Sequence, residues 1–196
     1  MGIARCIMGF AGHMIDRPLR QTPRFPPIIE PGVRLAIQEK LNAYQPELAV
    51  SSAACGGDII FIEEALKNNI PTFIILPFED RDDFIGHSIA YAGSDWVDRF
   101  NNICSKVLRV FYVNPGGYNT DSDFEENQHA IVFFTLGFSR ALNVQTIHLL
   151  LFDETQPVDG TGGTKSYLDL CVGLNLLFEK IDLAKIRKQY IKKGLL

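Results

Sequence analysis

Residues 48–68, LAVSSAACGGDIIFIEEALKN, predict a strand, a glycine turn and a helix in direct succession. Leu48 to Ser52 is a short apolar run, which is typical of a buried strand. A helix is predicted over Gly57 to Asn68, because apolar residues recur there at a spacing of three and four. These residues are Ile59, Ile62, Ala65 and Leu66. A strand joined to a helix through a short turn is the repeating unit of α/β proteins.

The same alternation extends in both directions along the chain. Further strands are predicted over Ala4–Phe10, Thr72–Leu76, Val107–Val113, Thr146–Phe152 and Leu177–Ile181. Further helices are predicted over Gly32–Tyr44, Asp80–His87, Asp95–Ser105, Asp123–Leu142, Thr164–Leu174 and Leu183–Lys193. We therefore predict an α/β, Rossmann-like three-layer sandwich with a mostly parallel sheet of about six strands. We expect a single domain over residues 1–196, because no linker or repeat interrupts the chain.

Composition narrows the classes of partner. Apolar residues make up 46% of the chain and the net charge is −4, so we expect a globular protein without a nucleic-acid partner. No apolar run is long enough to span a bilayer, so no membrane partner is expected. The four cysteines are widely spread along the sequence, which argues against a metal site. Their use also favours a reducing, cytoplasmic compartment. The 14 phenylalanines suit a homo-oligomer face as well as a core.

Three details follow from residues near the predicted third strand and the helices after it. Pro77 is predicted to end the third strand. Ser94 or Asp95 is a reasonable N-cap for the helix that follows. Trp96 could stack on a purine, but a place in the core is the favoured interpretation.

Candidate ligand-binding residues follow the first predicted strand, because parallel sheets bind ligands beyond the carboxyl ends of their strands. The candidates there are Gly9, Gly12, His13, Arg17 and Arg24. Glycines let a ligand approach the backbone, and arginine suits phosphate or carboxylate. Each glycine is equally consistent with an ordinary turn, and each arginine with an ordinary surface position.

Two further turns are predicted to cradle an anion at the start of a helix. The candidates after the second strand are Ala54, Cys55, Gly56, Gly57 and Asp58, and those after the fifth are Asp159, Gly162, Gly163 and Thr164. Asp58 is either a cap or a holder of a ribose hydroxyl, since an acid would repel a phosphate placed directly on it. The chain has neither a Walker loop nor a GxGxxG fingerprint.

Several segments in order resemble the SLOG superfamily of Rossmann-like domains, which takes in the DprA-like and LOG-like proteins. The closest resemblance is to a bacterial subset found beside signalling or conflict-system domains. The matching segments are GFAGHMIDRP, TPRFP, SSAACGGDIIFIEEAL, LPFEDRDDF, YAGSDWVDRF, EENQHAIVF and LLLFDETQPVDGTGGT, within roughly residues 7 to 175. The resemblance implies a nucleotide or nucleotide-derived ligand at the three glycine turns, and no further cofactor.

Two functions from different classes follow. The first is a sensor that binds a nucleotide-derived ligand without chemistry. The alternative is an N-glycoside hydrolase similar to LOG-type phosphoribohydrolases, with Glu63 as its catalytic acid. LOG-type enzymes carry PGGxGT followed closely by Glu, whereas this chain has Thr161 in place of the proline and no acid in the four residues after Thr164. An interaction module that uses the fold only as a scaffold remains a third interpretation.

Overall fold

The computed structural model describes residues 5–155 and 163–196. Its sheet has the strand order β4-β3-β2-β1-β5-β6, and every neighbouring pair is parallel. The strands are β1 Cys6–Gly12, β2 Leu48–Ser51, β3 Thr72–Phe78, β4 Arg109–Asn114, β5 Gln145–Phe152 and β6 Phe178–Asp182. The prediction of a Rossmann-like α/β sandwich with about six strands is confirmed, and the described sheet is entirely parallel.

Helices cover both faces of the sheet. They are α1 Glu30–Tyr44, α2 Gly57–Lys67, α3 Arg81–Ser88, α4 Ser94–Lys106, α5 Ser122–Leu142, α6 Thr164–Gly173 and α7 Leu183–Lys192. Strand β1 shows why two layers form: Met8 and Phe10 are buried in the core that contains α1, α2, α4 and α7. Ile7 and Ala11 are buried in the opposite core, with α5 and α6. A strand that is apolar on both faces needs a helical layer on each side.

Two local predictions near the third strand are wrong. Pro77 does not end β3, which continues to Phe78. β2 pairs with β3 only as far as Ile74, so Pro77 lies beyond this pairing and its missing N–H costs no ladder bond to β2. The N-cap of α4 is Gly93, not Ser94 or Asp95. Its φ of +111° favours glycine at that position.

Trp96 on α4 is only 4% exposed and belongs to the core, as the favoured interpretation predicted. The Arg99 guanidinium lies 3.7 Å from the centre of its ring. This contact covers one face of the Trp96 ring.

The strand order reverses at β1, which has β2 on one side and β5 on the other. Connections from β1 and β5 therefore leave towards opposite edges of the sheet, and a crevice opens beyond their carboxyl ends. Over residues 5–155 and 163–196, none of the helices combines the length and apolarity that crossing a bilayer requires.

Candidate functional site

A cavity of about 330 Å³ lies at this reversal, beyond the carboxyl end of β1, and residues that follow β2 and β5 also line it. Five segments contribute to it: the loop after β1, the β2–α2 turn, the α3 region, the start of α5 and the start of α6. The described lining residues used below are Gly12, His13, Arg17, Arg20, Arg24, Ser52, Ala54, Asp58, Phe84, Tyr91, Asp121, Phe124, Asn127, Gln128, Gly163, Thr164 and Lys165. The fold thus brings together residues more than 100 positions apart in the sequence.

The loop after β1 brings three arginines to the cavity, namely Arg17, Arg20 and Arg24. The guanidinium of Arg17 lies 4.5 Å from the centre of the Tyr91 ring, a cation–π distance. Arg20 donates through Nε to the Thr22 carbonyl at 3.0 Å. These contacts hold the side chains of Arg17 and Arg20 at the cavity wall. The prolines and glycines of the chain would not by themselves fix those positions.

The N-terminus of α6 forms a second part of the wall, through Gly163, Thr164 and Lys165. Its N-cap, Gly163, makes no side-chain cap hydrogen bond. The first N–H groups of a helix have no partner within the helix, and the helix dipole favours negative charge there. Lys165 adds a cationic side chain, which also bonds to Asp169 one turn later. Gly163 and Thr164 thus line the cavity, and their role as an anion cradle stays a prediction.

Asp58 lies at the floor of the cavity and links the turns after β1 and β2. Its Oδ1 accepts a hydrogen bond from the Gly12 N–H at 3.0 Å, and its Oδ2 accepts one from the Ala54 N–H at 3.4 Å. Burial raises the pKa of Asp58 to about 7, and these two hydrogen bonds offset only part of that effect. An acid that changes charge near neutral pH therefore faces the cavity.

The β2–α2 turn packs tightly against the loop after β1. The Gly57 N–H donates to the His13 carbonyl at 3.0 Å. Gly56 has a φ of +108°, and a Cβ there would lie 2.5 Å from the Ile15 nitrogen. Neither glycine is among the described lining residues. The two glycines permit close contact between two turns, and the Gly57 N–H is already engaged.

Cys55 is buried and is not among the lining residues of the cavity that the structure describes. Its N–H donates to the Ser88 carbonyl at 3.0 Å. Burial raises the pKa of its thiol to about 11, so the reactive thiolate is scarce at neutral pH. Cys55 fixes the turn against α3 and is unsuited to act as a nucleophile.

Gly9 lies within β1, away from the cavity. A Cβ at this position would lie 2.6 Å from the Tyr167 hydroxyl and 2.8 Å from Nδ1 of His148. Those two atoms form a buried hydrogen bond 2.8 Å long. Glycine at position 9 thus makes room for a polar pair from β5 and α6, which is a packing role that the sequence did not reveal.

Glu63 lies outside the cavity, in an ion cluster between α1, α2 and α4. Its carboxylate accepts hydrogen bonds from Arg99 at 2.8 and 2.9 Å and from Arg34 at 2.7 Å. Burial alone would raise the pKa of Glu63, but the two guanidinium groups hold it below its usual range. A carboxylate fixed in this way joins three helices, and it is not placed to act on a ligand in the cavity.

Several lining residues on α3 and α5 were not predicted as site residues. Asn127 is 1% exposed, and its Nδ2 donates to the Ser52 hydroxyl at 3.2 Å. Tyr91 and Phe124 provide aromatic surface, and Phe84 beside the cavity is only 1% exposed. The segment EENQHAIVF in α5 is one of the segments that resemble the SLOG superfamily. That resemblance was the only indication in the sequence that α5 contributes to the site.

Asp159 and Gly162 lie outside the residues that the structure describes. Among those that it does describe, no group of three or more His, Cys, Asp or Glu side chains is arranged to hold a metal ion. A scan against protein-family models found no match for this chain, and a search of curated proteins found none either.

Proposed function

We propose that this chain binds and senses a nucleotide or a nucleotide-derived molecule in the cavity beyond β1. The observation that carries the proposal is the convergence, at one topological reversal, of basic side chains, a helix N-terminus and aromatic surface. A nucleotide combines an anionic end with a flat, largely apolar base, and this lining offers a complementary group for each.

Charge supports the anionic part of the ligand. Among the described lining residues, Arg17, Arg20, Arg24 and Lys165 are basic, while Asp58 and Asp121 are acidic. The basic groups therefore outnumber the acidic ones four to two among the lining residues, and protonation of Asp58 increases the difference. Two of the four also pair with acids outside the lining, Arg20 with Asp16 and Lys165 with Asp169. We assign the phosphate to the N-terminus of α6, because anions are stabilised there by unpaired N–H groups and by the dipole.

Size and surface support the base. A volume of about 330 Å³ lies within the range of small-molecule pockets, which runs from about 300 to 1,000 Å³. Phe124 and the half-buried Tyr91 offer ring surface on the wall formed by α5 and the turn after α3, and Arg17 covers one face of Tyr91. Stacking on such rings is tolerant of base identity, so the proposal names no particular base.

A thermal-shift screen tests this function. Mononucleotides, dinucleotides, cyclic nucleotides and ADP-ribose are each added at about 100 times Kd, and at least one should raise Tm by about 5–10 °C. Lys165→Met should weaken binding of that compound about tenfold. Lys188→Met is the matched control, because Lys188 is exposed on α7. A panel without any shift, or equal losses in both variants, would overturn the proposal.

A second candidate, hydrolysis of an N-glycosidic bond in the nucleotide, is favoured by one observation. Asp58 faces the cavity with its pKa raised to about 7, which suits a general acid or base near neutral pH. Incubation with nucleoside monophosphates, NAD and ADP-ribose should then release free base, and Asp58→Asn should abolish the release. Binding without release of base favours the sensor instead.

A further inference from the structure

The wall formed by α5 carries a buried amide oxygen without a partner. Asn127 lines the cavity and is 1% exposed, yet its Oδ1 has no hydrogen-bond partner within the described part of the chain. Its Nδ2 is engaged with the Ser52 hydroxyl, so the amide is held in place from its other end. This bond limits rotation of the amide, so its oxygen cannot readily turn towards water.

The next residue repeats the pattern. Gln128 also lines the cavity, and its Oε1 is likewise buried without a partner among the described residues. Leaving a buried acceptor unpaired is costly in a folded protein, because the group has lost its water and gained nothing in exchange. Two such oxygens on consecutive residues of one helix indicate a wall whose partner is not among the residues that the structure describes.

This wall differs in chemistry from the rest of the cavity. The arginines, Lys165 and the N-terminus of α6 supply donors and positive charge, which suit an anion. The oxygens of Asn127 and Gln128 can only accept hydrogen bonds, and an unprotonated phosphate can only accept them too. A phosphate is therefore a poor neighbour for the α5 wall, whereas a group with an O–H or N–H is a good one.

We propose that Asn127, supported by Gln128, selects ligands that present a hydrogen-bond donor to α5 while their anionic group lies at α6. This inference rests on the proposed function and narrows its ligand class. A bare polyanion satisfies only one wall of the cavity. A phosphorylated compound that also carries sugar hydroxyls or an exocyclic amino group satisfies both, and the experiment below separates these two sources of the donor.

The test compares ligands that differ by one donor. Ribose 5-phosphate is paired with 2-deoxyribose 5-phosphate, and AMP with purine riboside 5′-monophosphate, which lacks the amino group. Kd is measured by calorimetry with the full chain. We expect at least one deletion to weaken binding about tenfold or more. Loss on removing the hydroxyl assigns the donor to the sugar, and loss on removing the amino group assigns it to the base.

Two variants tie the effect to Asn127. Asn127→Leu removes the acceptor at similar volume. The two ligands whose Kd values differ tenfold in the wild type should therefore bind this variant with about equal Kd. Asn127→Asp keeps acceptor oxygens and should retain the difference, even if the added charge weakens binding of every phosphate. Asn101→Leu, at an exposed position of α4, makes the same chemical change away from the cavity and should match the wild type.

The outcomes separate this inference from the proposed function. If AMP and ribose 5-phosphate bind but neither deletion costs affinity, the role of Asn127 is refuted and the anion site stands. The same conclusion follows if the difference persists in Asn127→Leu. If neither parent compound nor inorganic phosphate binds the wild type, the proposed function itself fails. The wild-type series decides even if Asn127→Leu does not fold.

Discussion

Replacing Asp58 by asparagine should change the way in which stability depends on pH. The side chain is 6% exposed, and burial raises its pKa from 3.8 to about 7. The folded protein therefore binds a proton more tightly than the unfolded chain does. Stability from this group is present at low pH and is lost as the pH rises through about 7. Asparagine resembles the protonated acid in shape and charge, and it does not titrate.

The size of the effect follows from the two pKa values. Between pH 5 and pH 7.5, loss of the proton from Asp58 should account for about 2–3 kcal/mol of the decline in the free energy of unfolding. Asp58→Asn also loses an acceptor, because one amide oxygen cannot serve both the Gly12 and the Ala54 N–H. That cost is the same at both pH values, so it cancels when the pH dependences of the two proteins are compared.

Urea unfolding at several pH values measures this difference, with the fluorescence of the buried Trp96 as the probe. The stability advantage of the wild type over Asp58→Asn should be about 2–3 kcal/mol larger at pH 5 than at pH 7.5. An exposed acid on α4, Asp98, offers a matched control as Asp98→Asn. Parallel pH curves for the wild type and Asp58→Asn would refute the assignment of a raised pKa to this carboxyl.

Three further predictions concern residues that hold the site in place. Burial lowers the pKa of His148 to about 4, so protonation of this imidazole favours the unfolded chain. The wild type therefore loses stability between pH 7.5 and pH 5, and in His148→Gln this loss, measured by urea unfolding, should be smaller by about 2 kcal/mol. Gly9→Ala should cost about 1–3 kcal/mol in the same assay, because its Cβ would lie 2.8 Å from the same imidazole. Arg187→Met should lower Tm by leaving the buried Asp153 carboxylate without its ion pair, at a cost of about 3 kcal/mol, whereas Lys188→Met should have little effect.

The fold could be predicted from the sequence because its layers repeat a local pattern. Each buried strand is a short run of apolar residues, and each helix has its apolar residues at a spacing of three and four. β2 and α2 therefore begin at the residues predicted, Leu48 and Gly57. The prediction that Pro77 ends β3 was wrong, because a strand tolerates proline where the neighbouring strand has already ended. That end is a property of the sheet and not of the segment itself.

The candidate site was harder to predict, because glycine and acidic residues serve several purposes. Gly9 and Gly56 look like ligand turns in the sequence, but the structure places each where a Cβ would collide with another part of the protein. Glu63 looks like an acid on an open helix, and its partners Arg34 and Arg99 come from two other helices. Such partners cannot be inferred from spacing, since they meet only when the layers pack.

The position of Asp58 explains why the anion should enter at α6 rather than at the first glycine turn. Two backbone donors near that turn, the N–H groups of Gly12 and Ala54, already bond to its carboxylate. A phosphate there would have to displace a side chain that belongs to the protein, and it would face the negative charge of that side chain above neutral pH. Within the described part of the chain no side chain caps the start of α6, and Lys165 adjoins it. If this reasoning is right, Asp58→Asn should change the Kd for phosphate at pH 8 much less than Lys165→Met does.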